Sequence, residues 1–256
     1  MDGLNNILQI PERCLINKKI TKAFFKRNFE LASSEISLLD DFSSVVSIDW
    51  HASISPTNSN IAEYRDEQNV FEEVQIISVQ STDKEFQKNY GRIADFIQKY
   101  IPYQILLCIW HDKNFVLNAC DKKISQNESS KRIIEKRYTT EIINHETTIE
   151  YQQAFLISLN FSVLDKTNLK TYFDSYTQRI IALQTAALNG AFFPRTQSRT
   201  QGDMSVLEKI DMLSKEIQVL ENQAKKESQL NLRVQLNTQI QGKRKQIEEL
   251  KVLLTA

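Results

Sequence analysis

Glycine, proline, cysteine and histidine are all scarce in this 256-residue chain, at five, four, three and three residues, and each shortage removes a class of function. No GxGxxG and no GxxxxGK(S/T) occurs, so the chain shows no cradle for a nucleotide's phosphates. Cys14, Cys108 and Cys120 form no CxxC pair, which argues against a zinc ribbon, a redox motif or a disulfide framework. His51, His111 and His145 have neither HExxH nor HxH spacing, and each reads as an ordinary loop or surface histidine. No metal site is legible. Long hydrophobic runs are missing too: the longest wholly apolar stretch is Ile105 to Trp110, far short of the roughly 20 residues of a membrane helix. The start of the chain, Met1 to Asn6, lacks the basic and apolar regions of a secretory signal, so the expectation is a cytoplasmic protein with no membrane contact. An excess charge of one sign is also absent, because 32 Lys and Arg balance 32 Asp and Glu. Binding to nucleic acid would therefore have to be local.

What remains is a chain with 41% hydrophobic and 25% charged residues, enough for one large domain and an appendage. Strand and helix signals mix over the first 190 residues. Asn17 can cap a helix through about Leu31, with Lys18, Lys22 and Lys26 on one face. Ser44 to Trp50 and Phe71 to Val79 alternate as strands. Thr82 and Glu85 have capping-box spacing ahead of a helix that Pro102 must end. Tyr103–Trp110 and Phe115–Cys120, separated by His111–Asn114, predict a β-hairpin whose first strand is central. Lys131 to Ile143 is open between helix and strand, and Gln152 to Leu159 reads as a strand or a buried segment. Thr167 or Asn168 caps a last helix that stops at Gly190. This predicts an α+β domain over 1–190, with a mixed sheet and flanking helices.

A small and polar stretch, 191–203, reads as a linker. After it, 204–256 contains no aromatic residue and no proline. Val206, Ile210, Leu213, Ile217, Leu220 and Ala224 step by four and three, as do Leu236, Ile240, Lys243, Ile247, Leu250 and Leu254, which is the a/d seam of a coiled coil. The two registers are out of phase across Lys225–Gln229, so the arm is either one kinked helix or a hairpin. A detached seam needs covering, and Ile217, Leu220, Ile247 and Leu250 are the expected anchors for a protein partner or a second copy.

Two constellations invite chemistry. Lys18, Lys19, Lys22, Lys26 and Arg27 stand without an acid between them, while 30–80 carry ten acids against Arg65. The lysines are either a face that contacts phosphates weakly, or a solvated face or internal partners of those acids. Metal-dependent nucleases of the restriction-endonuclease type place an Asp on one strand and Glu/Asp-x-Lys on the next, so that two carboxylates hold a divalent ion. Asp49 and Glu73-Val74-Gln75 approximate that spacing, with Gln75 where a lysine is expected. Mg2+ would be a cofactor under that reading alone.

Ile16–Phe25, Val45–Pro56, Ile101–Leu106 and Lys226–Asn231 with Val234–Asn237 together resemble a bacterial family known as a domain of unknown function and of about this length. Gln104 and Ser228 depart from the Pro and Lys of the pattern. The resemblance implies companions rather than a catalytic residue: DNA methyltransferases and superfamily-2 helicases in restriction-like or antiphage operons. The expectation is a non-catalytic subunit that docks on such a partner through its arm. The alternatives are the nuclease and a homodimeric structural protein.

Overall fold

A computed structural model of the chain describes residues 2–41, 44–82, 84, 86–124 and 132–255. They form two compact units, 1–180 and 181–256. The first is an α+β unit around a seven-stranded mixed sheet. Its strands are β1 (Leu15–Lys19), β2 (Ser47–Ile54), β5 (Val74–Ser81), β6 (Gln104–His111), β7 (Asn114–Ile124) and β8 (Arg132–Thr139), in that spatial order, with β9 (Ile143–Asn144) also paired to β7. Two short strands, β3 (Tyr64–Arg65) and β4 (Val70–Phe71), pair separately. Among the described residues only β5 and β6 are parallel, and the crossover between them carries helix α5 (Phe86–Tyr100).

β6 is central because every residue from Gln104 to Trp110 is buried. On one face of the sheet, Ile48, Ile77, Val79, Ile105, Leu107, Ile109 and Val116 belong to one apolar cluster. Covering them are Phe25 of α2 (Lys22–Asn28), Leu38 and Leu39 of α3 (Ser33–Asp40), and Phe86, Ile93, Phe96 and Ile97 of α5. The spacing of three and four in α5 is what turns those side chains to a single face. The opposite-facing Ile76, Leu106, Cys108 and Leu117 are equally buried, so the sheet is covered on both sides. The unit is completed by α1 (Asp2–Leu8), α4 (Pro56–Ser59), α6 (Glu150–Ser158) and the first half of α7 (Leu169–Asn189). In α7, Leu169, Tyr172, Phe173, Tyr176 and Ile180 form a fully buried row.

Several local expectations change. The helix expected from Asn17 is strand β1, then α2 capped by Thr21, whose Oγ accepts from the Phe24 amide at 3.2 Å. Asn17 itself has φ 49° within a bulge of β1. β2 runs to Ile54 because Ala52 and Ile54 continue the buried pattern past Trp50. Glu73 lies between β4 and β5 rather than opening a strand. The hairpin turn is Asp112–Lys113, two residues, with Asp112 at φ 53°. Lys131–Ile143 is mostly strand β8, and Gln152–Leu159 lies mostly in helix α6. The capping box of α5 involves Glu85, which lies outside the described residues. At α7, Asn168 Oδ1 accepts from the Thr171 amide at 3.0 Å and Gly190 follows with φ 80°.

The second unit holds the end of α7 and a helical hairpin of α8 (Gln197–Lys226) and α9 (Leu230–Leu253). α8 starts inside the stretch read as linker, and the division between units falls within α7 at Ile180/Ile181. The phase break at Lys225–Gln229 is where the chain reverses. Among the described residues no helix is long and apolar enough to cross a membrane.

Candidate functional site

β2 and β5 decide whether the two carboxylates of the nuclease reading meet. Asp49 stands opposite Ser78, whereas Ser53 stands opposite Gln75. Glu73 is five residues along from Ser78, which places it about 16 Å down the strand at 3.3 Å per residue. The faces differ as well. Trp50 pairs with Ile77 and shares the face of Gln75, while Asp49 and Ser78 share the other. A bulge between Trp50 and Ala52 shifts the alternation, so that Trp50 and Ser53 both lie on the Gln75 side. Asp49 and Glu73 therefore cannot share a cation, and the nuclease assignment of Asp49, Glu73 and Gln75 is corrected.

What stands there instead is a hydrogen-bonded row. Trp50 Nε1 donates to Gln75 Oε1, and Gln75 Nε2 donates to Glu73 Oε2. Ser53 Oγ donates to the same Glu73 oxygen at 3.1 Å. Gln75 Nε2 also donates to Ser53 Oγ at 3.4 Å, so the carbonyl and both N–H groups of the amide are committed and none is left to orient a water. Around this row lies a mostly apolar cavity of about 560 Å3, walled by Phe24, Phe29, Tyr100 and Tyr103 with Lys18 and Lys19 at its side. Alternation puts Trp50 on the Ile48 face, as found, but Ser53 lies past the strand end expected at Trp50 and across a bulge that alternation alone cannot count.

The three lysines do not make one basic face. Lys18 is exposed on β1, while Lys22 and Lys26 belong to α2. Lys26 Nζ lies 2.5 Å from Asp40 Oδ1 of α3. Burial lowers the Lys22 pKa while Asp40 and Asp41 pull it back up. Acids of α3 and the residue after it thus act on Lys26 and Lys22, while Lys18 stands apart on β1.

The arm residues are placed by the hairpin. Ile217 is buried, and Leu220, Ile247 and Leu250 are half-buried along the seam where α8 meets α9. Lys243 Nζ reaches Glu216 Oε2 at 2.5 Å and Arg244 reaches Glu221 at 2.8 Å across the same seam. At the open end, Arg195 and Arg199 clasp the buried Asp203 at 3.3 and 3.0 Å and donate to the carbonyls of Leu254 and Leu253. That clasp explains why the polar 197–203 stretch is helical.

The hairpin spends its a/d seam on itself, yet Met212, Val219, Leu230, Leu232, Val234, Val252 and Leu253 stay exposed. Two shallow grooves of about 540 and 440 Å3 run between the helices. One holds Lys209, Met212 and Leu213 against Gln246, Glu249, Leu250 and Leu253; the other holds Gln223, Lys226 and Glu227 against Leu232, Gln235, Leu236 and Gln239. The paired positions differ by 14 residues in both helices, which is two heptads, so both grooves lie on one face.

A family model for a domain of unknown function, DUF4391, matches residues 8–247. No curated protein and no solved structure matches the chain.

Proposed function

The chain belongs to the DUF4391 family, and we propose that it is a non-catalytic subunit of a bacterial DNA-processing or antiphage defence complex. It docks on a helicase or DNA methyltransferase partner through the α8–α9 hairpin. The observation that carries this reading is the groove pair repeating at two heptads on one face of a hairpin whose own seam is already closed. A groove with that period accepts a further helix side by side, which is the geometry of coiled-coil packing. The choice of partner rests on the operon companions that the resemblance implies. Met212 and Leu232, exposed on that face, replace Ile217, Leu220, Ile247 and Leu250 as anchors.

The test is recovery of the full chain with its genomic neighbours. Met212→Glu with Leu232→Glu should lose the helicase or methyltransferase while circular dichroism stays unchanged. Retention of the partner by this variant would overturn the docking face. If the same pair instead halves the mass seen by light scattering, a second copy is the occupant and the homodimer reading takes its place.

A further inference from the structure

Two buried polar atoms of β2 have no partner among the described residues: Asp49 Oδ1 and His51 Nε2. Asp49 is 6% exposed and His51 4%, and both line a cavity of about 400 Å3 on the sheet face away from Gln75. Bulges in β1 at Asn17 and in β2 at His51 build this corner. Such bulges re-aim a side chain that plain alternation would place elsewhere.

Ser47 Oγ donates to Asp49 Oδ2 at 2.8 Å, which anchors one oxygen and leaves the other buried without a donor. An ionised carboxylate oxygen can only accept, and burying one without a donor is unfavourable. Burial lowers the His51 pKa, the N-terminal ammonium lowers it further and Asp49 opposes both, which favours the neutral ring. Asp112 adds a second acid to the wall, and Ser78 and Gln80 add neutral hydrogen-bonding groups. Among the described residues neither lysine nor arginine lines the cavity, so its two acids outweigh the N-terminal ammonium that acts on His51. Its field therefore draws cations and repels phosphates. Among the described residues no three His, Cys, Asp or Glu side chains are placed to hold a metal ion, which favours an organic cation.

We propose that this cavity binds a compact cationic nitrogen group, a protonated amine, amidine or guanidinium, which donates to Asp49 Oδ1 and packs against His51. The volume is at the small end of ligand pockets. The group could belong to a free small molecule or to an arginine or lysine side chain of a partner.

Calorimetric and NMR titrations of the full chain with methylguanidinium, butylammonium, a blocked Gly-Arg-Gly peptide and neutral methylurea test this. The cations should saturate and perturb the amides of residues 49–51, and methylurea should not. Asp49→Asn keeps the shape and removes the charge, so affinity should fall about tenfold or more, as for the loss of a charge-assisted hydrogen bond. Ser78→Leu, which fills the cavity from the neighbouring strand, should abolish binding even if the Asn variant folds poorly. Equal binding of the peptide assigns the group to a partner side chain, and exclusion of the peptide assigns it to a free molecule. Equal binding of methylurea, unchanged affinity in Asp49→Asn, or no saturation at millimolar concentration would overturn the proposal and leave a cavity that holds water.

Discussion

Ser53 Oγ, not a carboxylate, faces Glu73 Oε2 at 3.1 Å across the β2–β5 pair. In the metal-dependent arrangement that position would carry a second acid, because one carboxylate with a serine and an amide leaves a divalent ion under-coordinated. The amide of Gln75 also donates to that oxygen, so the lone pairs of Oε2 are already engaged.

From this the first prediction follows. Adding or chelating Mg2+ should leave the melting temperature of the chain unchanged to within about 1 °C, since a ligand that binds the folded state shifts it by mass action. Thermal unfolding with and without EDTA measures it. A clear magnesium-dependent rise would restore a metal site to the sheet.

How much of this could be read beforehand depends on whether a residue's signal is local. The α5 and α7 periodicities, the central β6 and the Gly190 stop are properties of a few neighbours, and they stand as expected. Asn17 misled because the same residue type that caps helices also tolerates φ 49° in a bulge. Asp49 and Glu73 sat at plausible spacing, but a bulge at Trp50/Ala52 and the choice of strand face belong to pairing, which one strand's residues do not encode. The a/d seam was visible, whereas its burial against its own second half depended on the reversal at Glu227–Gln229.

A second prediction concerns Lys122, which is buried in β7 and donates to the carbonyls of Ile101 and Tyr103 at 2.7 and 2.8 Å. Burial pulls its pKa down to about 7, with the Cys120 thiol pushing back. A neutral amine still has the two N–H groups that these carbonyls need. Lys122→Met should cost about 1–3 kcal/mol by leaving both carbonyls unpaired. Between pH 7 and the ordinary lysine value the unfolded chain holds a proton that the folded chain lacks, so stability should rise with pH across that window. Urea unfolding at several pH values should show this slope in the wild type and a flatter one in the variant. The same slope in both would remove Lys122 as its source.

The third prediction returns to Lys18, Lys22 and Lys26. With Lys26 on Asp40 and Lys22 beside Asp40 and Asp41, little positive field is left for a phosphate. Replacing all three by Gln should change the slope of log affinity against log salt for duplex DNA by less than about one, where each lost phosphate contact would remove close to one. A drop of two or more, read by fluorescence anisotropy, would put the lysines back on DNA.

The last prediction separates an inward seam from an outward one. Leu220 and Leu250 are half-buried where α8 and α9 meet, next to the buried Ile217 and Ile240. Placing an aspartate at both puts two charges into an apolar interface with no cation assigned to them, a cost of several kcal/mol by comparison with burying one unpaired charge. A two-helix hairpin has few other apolar contacts to offset that loss, and isolated helices are marginal in water. Leu220→Asp with Leu250→Asp should therefore melt most of the helix carried by α8 and α9, which hold 30 and 24 residues. The reading is a fall in ellipticity at 222 nm. Trp50 and Trp110, the only two tryptophans, both lie in the first unit, so their fluorescence should still report a cooperative transition. Unchanged ellipticity together with lost partner binding would mean that these leucines point outward and that the seam itself is the docking surface.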